Sequence, residues 1–125
     1  MEKTLGQIEA EISDAIIKFE KEYLGRGPKE AKTFVLGDLI LVRLKGVMTP
    51  AEEQLAKTSE GSGLIKKVRM TLIEGARVLL ENIIFDITDC RIVSLHTDIS
   101  TKAGERIIVF ILDKNLETQF QRSAK

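Results

Sequence analysis

The sequence has few of the residues that cross-link chains or bind metals: one cysteine, one histidine and no tryptophan among 125 residues. A single cysteine excludes an intrachain disulfide, and one cysteine with one histidine provides too few ligands for a structural zinc site. We interpret Cys90, which lies between an acid and a base, as a small packing residue rather than a nucleophile. We therefore expect no metal and no cofactor.

Neither sign of charge is in excess, since 19 Lys and Arg residues balance 19 Asp and Glu residues. Nucleic-acid-binding domains usually carry a basic excess, so we expect no nucleic-acid partner. The longest apolar run, residues 107–112, is far shorter than the roughly 20 residues that span a bilayer. Residues 1–16 contain acids throughout and no apolar core of a signal peptide. These absences predict a cytoplasmic protein without direct membrane insertion.

The remaining composition is that of one globular domain over residues 1–125, with 43% hydrophobic and 30% charged residues. A chain of this length buries roughly two-thirds of its surface on folding and needs no covalent cross-link. We place the core within residues 5–113 and expect residues 114–125 to form a tail with a short helix.

Apolar spacing predicts an amphipathic first helix that ends at Gly25, before Pro28. Its apolar stripe consists of Leu5, Ile8, Ile12, Ala15, Ile16, Phe19 and Tyr23. A hairpin follows, with strands at residues 32–36 and 39–46 around a Gly37-Asp38 turn. Alternation in the second strand puts Ile40, Val42 and Leu44 on one face and Leu39, Leu41, Arg43 and Lys45 on the other.

Thr49-Pro50-Ala51-Glu52 predicts a capped start for a short helix, with the proline at N1 and the glutamate at N3. A second long helix follows the small polar break at residues 58–63, and Gly75 in its interior indicates a close approach or a bend. Its predicted stripe is Ile65, Val68, Leu72, Ala76, Leu79, Leu80 and Ile83.

Residues 89–98 and 106–113 predict a second hairpin, in which Val93 and Leu95 face inward. The predicted fold is α+β: a two-layer sandwich of αββ(α)αββ order, with a four-stranded, mostly antiparallel sheet and two long helices on one face. The order of the four strands stays open.

Apolar residues are in surplus for a sheet covered on one face, because residues 107–112 are apolar at every position. Two explanations remain open. The short helix or the tail covers the second face, or a homodimer forms through that face or an edge. The residues expected in the dimer interface are Leu39, Leu41, Ile108, Phe110 and Leu112.

Ser94, His96 and Asp98 fall on one face of a predicted strand. Residues two apart on a strand stand side by side, and a catalytic triad needs a chain of short hydrogen bonds and an oxyanion hole. We therefore predict no catalytic residues here and interpret the trio as a polar part of the sheet face, with ligand or pH sensing by His96 as the alternative.

The turn Gly25-Arg26-Gly27-Pro28-Lys29 and the basic start of the second long helix suggest a small-anion site. Its candidate residues are Arg26, Gly27, Lys29, Lys66 and Arg69. The alternative is a glycine helix cap followed by a rigid turn, with the helix cations on a solvated face.

The order of these signatures resembles the small bacterial MpsC family over residues 5–113. The residues that carry the resemblance are Gly25-Arg26-Gly27-Pro28, Leu44-Lys45-Gly46, Met48-Thr49-Pro50-Ala51-Glu52, Arg69, His96-Thr97-Asp98 and Val109-Phe110. The resemblance implies an accessory role beside a sodium-translocating, membrane-potential-generating system related to inorganic-carbon uptake, and it carries over no catalytic residue.

Two functions are consistent with these observations. The first is a non-enzymatic accessory or regulatory protein whose partners are a second copy and a membrane transport complex. The second is a sensor domain that binds a small anion or another small ligand.

Overall fold

The computed structural model describes residues 3–122, so the last three residues of the predicted tail lie outside the described range. Helices and strands follow the predicted α+β order. Their bounds are α1 Leu5–Leu24, β1 Glu30–Leu36, β2 Leu39–Lys45, α2 Pro50–Leu55, α3 Ser59–Gly75, α4 Arg77–Thr88, β3 Ile92–Ser100, β4 Glu105–Leu112 and α5 Leu116–Gln119. No helix within residues 3–122 is long and apolar enough to cross a bilayer.

The four strands form one open antiparallel sheet in the order β1-β2-β4-β3. Both predicted hairpins are present, and the central strands β2 and β4 come from different hairpins. This pairing brings together residues that are some 70 positions apart in the sequence, such as Ile40 and Phe110. The two edge strands are therefore β1 and β3.

Helix α1 begins and ends where the sequence predicts. The Thr4 hydroxyl accepts a hydrogen bond from the Gln7 amide, and the Gln7 side chain accepts one from the Thr4 amide. Gly25 ends the helix in the left-handed conformation, with φ of 77°. The stripe is buried from Leu5 to Phe19, but Tyr23 is exposed and Glu20 is buried in its place.

The second long helix is divided into α3 and α4 at Ala76, directly after Gly75. Ala76 has φ of −100° and ψ of 9°, and nothing lies within 4 Å of a methyl group added at Gly75, so the glycine marks an interruption of the helix and not a close approach. The predicted stripe is wrong at Val68, Leu72 and Leu79, which are exposed. Arg69 is instead buried between Ile65 and Ile73.

The core lies between the helices and one face of the sheet. The strand residues on this covered face include Val35, Ile40, Val42, Leu44, Ile108, Phe110 and Leu112. The prediction that Ile108, Phe110 and Leu112 form a dimer interface is wrong, because the helices of the same chain bury all three. Alternation instead places Ile107, Val109 and Ile111 on the opposite face.

A β-bulge between Ile92 and Ser94 corrects the predicted inward face of β3. The bulge leaves Val93 without a partner on β4 and exposed, while Ile92 and Leu95 pack against the core. One extra residue in a strand moves every preceding side chain to the other face, so simple alternation failed upstream of Ser94.

A methyl group at Gly61 would lie 1.8 Å from the carbonyl oxygen of Leu55, where α3 begins against the end of α2. We expect Gly61→Ala to lower the free energy of unfolding by about 1–3 kcal/mol, the usual cost of overpacking. Gly63→Ala is the matched control because nothing lies within 4 Å of its added methyl group. It should raise stability by roughly 0.5–1 kcal/mol through helix propensity. Urea denaturation that ranks the two variants in the opposite order would contradict this packing.

Candidate functional site

The face of the sheet turned away from the helices has a continuous apolar surface, which we call the open face. Strand pairing aligns its side chains across β1, β2 and β4. The apolar members are Phe34, Leu36, Leu39, Leu41, Ile107, Val109 and Ile111. The predicted interface residues Leu39 and Leu41 thus lie on this surface, although Ile108, Phe110 and Leu112 do not.

Neither the short helix nor the described part of the tail covers the open face. The short helix α2 lies against α3 on the covered side of the sheet, where Glu52 binds Arg69. Helix α5, in the tail, inserts Leu116 into the core, and the Arg122 guanidinium donates to Glu9 of α1, so the tail also runs along the helical side of the sheet. Leu36 is accordingly 57% exposed and Phe34 38% exposed. Within residues 3–122, the first explanation of the apolar surplus is therefore wrong.

Charged and polar residues border the apolar surface on two sides. Lys32 of β1 pairs in register with Arg43 of β2, and Arg43 forms an ion pair with Glu105 of β4. The β3 border consists of Ser94, His96 and Asp98. An apolar centre with a polar rim is the usual composition of a protein–protein interface.

The trio on β3 has no triad geometry. His96 Nε2 and Ser94 Oγ are 3.2 Å apart, whereas Asp98 pairs with Lys66 Nζ at 3.6 Å and accepts from the amide of Ile99. Within the described residues, the carboxylate that a triad would need to orient the imidazole is thus engaged elsewhere.

Four charged side chains from α1, α2, α3 and β4 meet beneath the sheet. Arg69 donates from Nε and Nη2 to the two carboxylate oxygens of Glu52 at 2.7 and 2.6 Å, and from Nη2 to the Val47 carbonyl at 2.9 Å. Glu20 lies between the guanidinium groups of Arg69 and Arg106, with closest N–O distances of 3.8 and 3.7 Å. We call these four residues the buried charge cluster.

The cluster is almost fully removed from solvent and remains partly unpaired. The side chains of Glu20, Arg69 and Arg106 are at most 3% exposed. Glu20 Oε2, Arg69 Nη1 and Arg106 Nη1 have no hydrogen-bond partner among the described residues. Arg106 is additionally held by Thr97, whose hydroxyl accepts from Arg106 Nε at 3.2 Å. Such an arrangement orients the neighbouring elements and is closed to solvent.

The pKa values of the two carboxyl groups in the cluster are shifted in opposite directions. Burial raises the pKa of Glu20 above its ordinary value, against the opposing effect of Arg106 and Arg69. Burial also acts to raise the pKa of Glu52, but hydrogen bonds from Arg69 and Thr49 outweigh it, so the pKa lies below the ordinary 4.5. Glu52 therefore stabilises the fold in its ionised form.

The predicted anion site is divided by the fold. Arg69 is buried in the charge cluster, so its assignment is wrong. Lys66 pairs with Asp98 and does not line the cleft that contains Arg26 and Lys29. Arg26 and Lys29 do share a cleft, which also contains Lys102 from the β3–β4 turn. Gly27 does not line it but packs against the side chain of Lys21.

Sequence reasoning missed Glu20, Arg106 and Lys102. The first two carried a signal: Glu20 follows Ile16 by four positions, and Arg106 alternates with Ile108 and Phe110. A charge at a core-facing position on each of two elements indicates a buried ion pair. No signal in the sequence indicated Lys102, because Arg26 and Lys29, with which it shares the cleft, are remote from it in the sequence.

A second apolar surface lies on the outer side of the two helices α3 and α4. It consists of Leu64, Val68, Leu72 and Leu79, which are 37–50% exposed. The spacing of four between Leu64, Val68 and Leu72 places these three on one stripe of α3, next to the buried stripe of Ile65 and Ile73, and Leu79 follows on α4. We call this the outer stripe.

Residues 4–114 match the sequence profile of MpsC, described as a Na⁺-translocating membrane potential-generating system. The chain belongs to the MpsC family. The matched range includes the open face, the buried charge cluster and the cleft, so these features lie within the part of the chain that defines family membership.

Two Bacillus subtilis proteins resemble the chain along most of their length. YbcI is 44% identical over 122 residues, which is 98% of either protein. YrhF is 26% identical over 111 residues, which is 87% of this chain and 90% of YrhF. Both are described as uncharacterized, and no solved structure matches the chain. The chain therefore covers its relatives almost completely.

Glu52→Gln should lower the free energy of unfolding by about 1.5–3 kcal/mol at pH 7, the usual value of a charge-assisted hydrogen bond. Glutamine can still accept the hydrogen bond from the Thr49 amide that caps α2. The variant therefore removes only the negative charge that faces Arg69. Since the folded pKa of Glu52 lies below the unfolded one, its contribution is present above the ordinary value of 4.5 and is lost as the pH falls through the folded pKa. The difference between wild type and variant should therefore shrink on acidification.

The matched control is Glu53→Gln, an exposed neighbour on the same helix with no ion pair among the described residues. It should change stability by less than about 0.5 kcal/mol at either pH. Chemical denaturation at pH 7 and pH 3 measures both variants. A Glu52→Gln effect that is equal at the two pH values would argue against an ionic role.

Proposed function

We propose that this protein is a non-enzymatic, cytoplasmic accessory component of the Na⁺-translocating membrane system for which the MpsC family is named, and that it acts as a homodimer. The observation that carries the proposal is the open face. Monomeric proteins rarely expose continuous apolar surfaces larger than a few hundred Å², and larger ones usually mark interfaces. Seven apolar side chains on three adjacent strands form such a surface.

The charges around the open face favour a second copy as its occupant. A two-fold axis parallel to the strands would place β1 of one copy opposite β3 of the other. Lys32 would then face Asp98 of the partner, and Lys45 would face the partner's Glu105. A two-fold axis across the strands would instead place Leu36 opposite Glu30, so charge complementarity favours the first arrangement. In that arrangement Asp98, Lys45 and Glu105 would each share a charge of the partner with the ion pair they form in their own chain.

The outer stripe supports the accessory role. It is formed by α3 and α4 and not by the sheet, so it is separate from the open face. Exposed apolar side chains four residues apart on a helix are typical of contacts with another helix. We assign this stripe to the contact with an integral component of the membrane system.

The alternative function is a small-anion sensor, and only two of the residues predicted for its site lie together in the structure. Lys66 and Arg69 are engaged elsewhere, but Arg26 and Lys29 remain together beside Lys102. A binding site in that cleft is compatible with an accessory protein, and it is independent of how the dimer forms.

Val109→Glu places a charge in the middle of the open face and should convert a dimer into a monomer at micromolar concentration. Size-exclusion chromatography with light scattering measures the mass. Val78→Glu, which adds the same charge at an exposed position of α4, should leave the dimer intact. A wild-type chain that is monomeric at this concentration would overturn the homodimer.

The orientation of the dimer is tested by exchanging charges. Lys32→Asp should weaken dimerisation at low salt, and Lys32→Asp combined with Asp98→Lys should restore it, because the opposed pair is rebuilt with reversed sign. Sedimentation equilibrium at low and high salt measures both dissociation constants. A double variant that dimerises more weakly than Lys32→Asp alone would exclude the proposed axis.

The contact with the membrane system is tested by affinity purification from membranes of the native host. The tagged wild type should retain an integral membrane protein, and Val68→Glu with Leu72→Glu should lose it while keeping the dimer mass and thermal stability. Val93→Glu, on the exposed bulge of β3, is the control and should retain it. Equal recovery with all three proteins would contradict the role of the outer stripe.

A further inference from the structure

We propose that the cleft between the α1–β1 turn and the β3–β4 turn binds a small oxyanion, such as a phosphate group, through Arg26, Lys29 and Lys102. The cleft has a volume of about 260 Å³ and is lined by residues from three loops. The remaining lining residues are Gly46, Met48, Glu53, Thr101, Ala103 and Gly104. We call this the basic cleft.

Charge in the basic cleft is strongly biased, although the whole chain is neutral. Three cations face one carboxylate, that of Glu53. None of the three cations forms an ion pair within residues 3–122, whereas Lys66 on the neighbouring side of the β3–β4 turn pairs with Asp98. An excess of two unpaired positive charges in one concave site attracts an anion.

The loops that form the basic cleft are tied to one another and to the core. The Val47 amide donates to the Gly104 carbonyl at 3.1 Å, and the Lys29 amide donates to the Lys45 carbonyl at 2.8 Å. The Val47 carbonyl in turn accepts from Arg69 of the buried charge cluster. The cleft is therefore preformed, so a ligand would lose little free energy in ordering it.

Glycine conformation positions one of the cations. Gly46 has φ of 67°, and an added methyl group would lie 2.7 Å from Cγ of Lys29. The Lys29 side chain therefore lies directly over Gly46, and any side chain at position 46 would displace it. This close approach directs Lys29 along the wall of the cleft.

Arg26 has an unused hydrogen-bonding capacity. Its Nε is buried and has no acceptor among the described residues. A guanidinium group has five donors in a planar fork that matches the oxygens of a phosphate group, and such charge-assisted hydrogen bonds are short and strong. Because the buried Nε is closed to solvent, an oxyanion in the cleft would be bound by the other nitrogens of the guanidinium group.

The size of the basic cleft limits the ligand. Pockets for drug-sized molecules enclose about 300–1,000 Å³, so 260 Å³ suits a small anion or the phosphate end of a larger molecule. Free phosphate and a phosphate monoester share this chemistry, and titration distinguishes them.

The experiment is titration of the full chain with inorganic phosphate at constant ionic strength, followed by amide chemical shifts. Saturable shifts are expected at Gly46 and at Thr101–Gly104, and sodium chloride should not produce them. Arg26→Gln and Lys102→Gln should each weaken binding about tenfold or more. Lys18→Gln, an exposed lysine of α1 outside the cleft, is the matched control and should bind as the wild type does.

A second titration, with adenosine monophosphate, identifies the source of the phosphate group. Tighter binding than inorganic phosphate, with the same loss in Arg26→Gln, indicates a phosphate ester, and equal or weaker binding indicates the free anion. Either result supports the site. Shifts that do not saturate below about 50 mM, or that are unchanged in both variants, would overturn it. The readout does not depend on the oligomeric state.

Discussion

The ion pair between Arg69 and Glu52 is the interaction on which the rest of the structure depends. It joins α3 to α2, and through the Val47 carbonyl it also fixes the segment that connects β2 to α2. Glu20 and Arg106 extend the same contact to α1 and β4. Removing one partner from a buried pair leaves an uncompensated charge, so the cluster ties the positions of the four elements to one another.

This arrangement places the candidate binding surfaces on different sides of the molecule. The helices cover one face of the sheet, which leaves the open face uncovered by residues 3–122. Helix α3 turns Ile65 and Ile73 inward, and the outer stripe beside them is exposed. The basic cleft lies beside the segment that Arg69 braces, at the end of the sheet where the β2–α2 and β3–β4 loops meet. The surfaces proposed for assembly and for ligand binding are therefore separate.

Much of the fold could be predicted because its signals are local. The glycine at the end of α1, the Gly37-Asp38 turn and the capping box of α2 each depend on a few adjacent residues, and all three are present. Errors arose where one residue shifts a pattern. The bulge at Val93 reversed the predicted face of that residue, and an arginine in the buried stripe of α3 hid the true inward side of that helix. Alternation on β4 did not show which face is buried, because both faces are apolar, and the residues assigned to the interface lie on the buried one.

The sequence by itself determined the element types, most of their ends and an apolar surplus that needs covering, because helix caps, turns and alternation depend on neighbouring residues. Only the tertiary structure decided the strand order, the face on which the surplus lies and the partners of each charge. Ile107 and Ile108 are indistinguishable in the sequence, and only packing of the helices separates them. Arg26 and Lys102 are 76 positions apart, and they share a cleft because β2 pairs with β4.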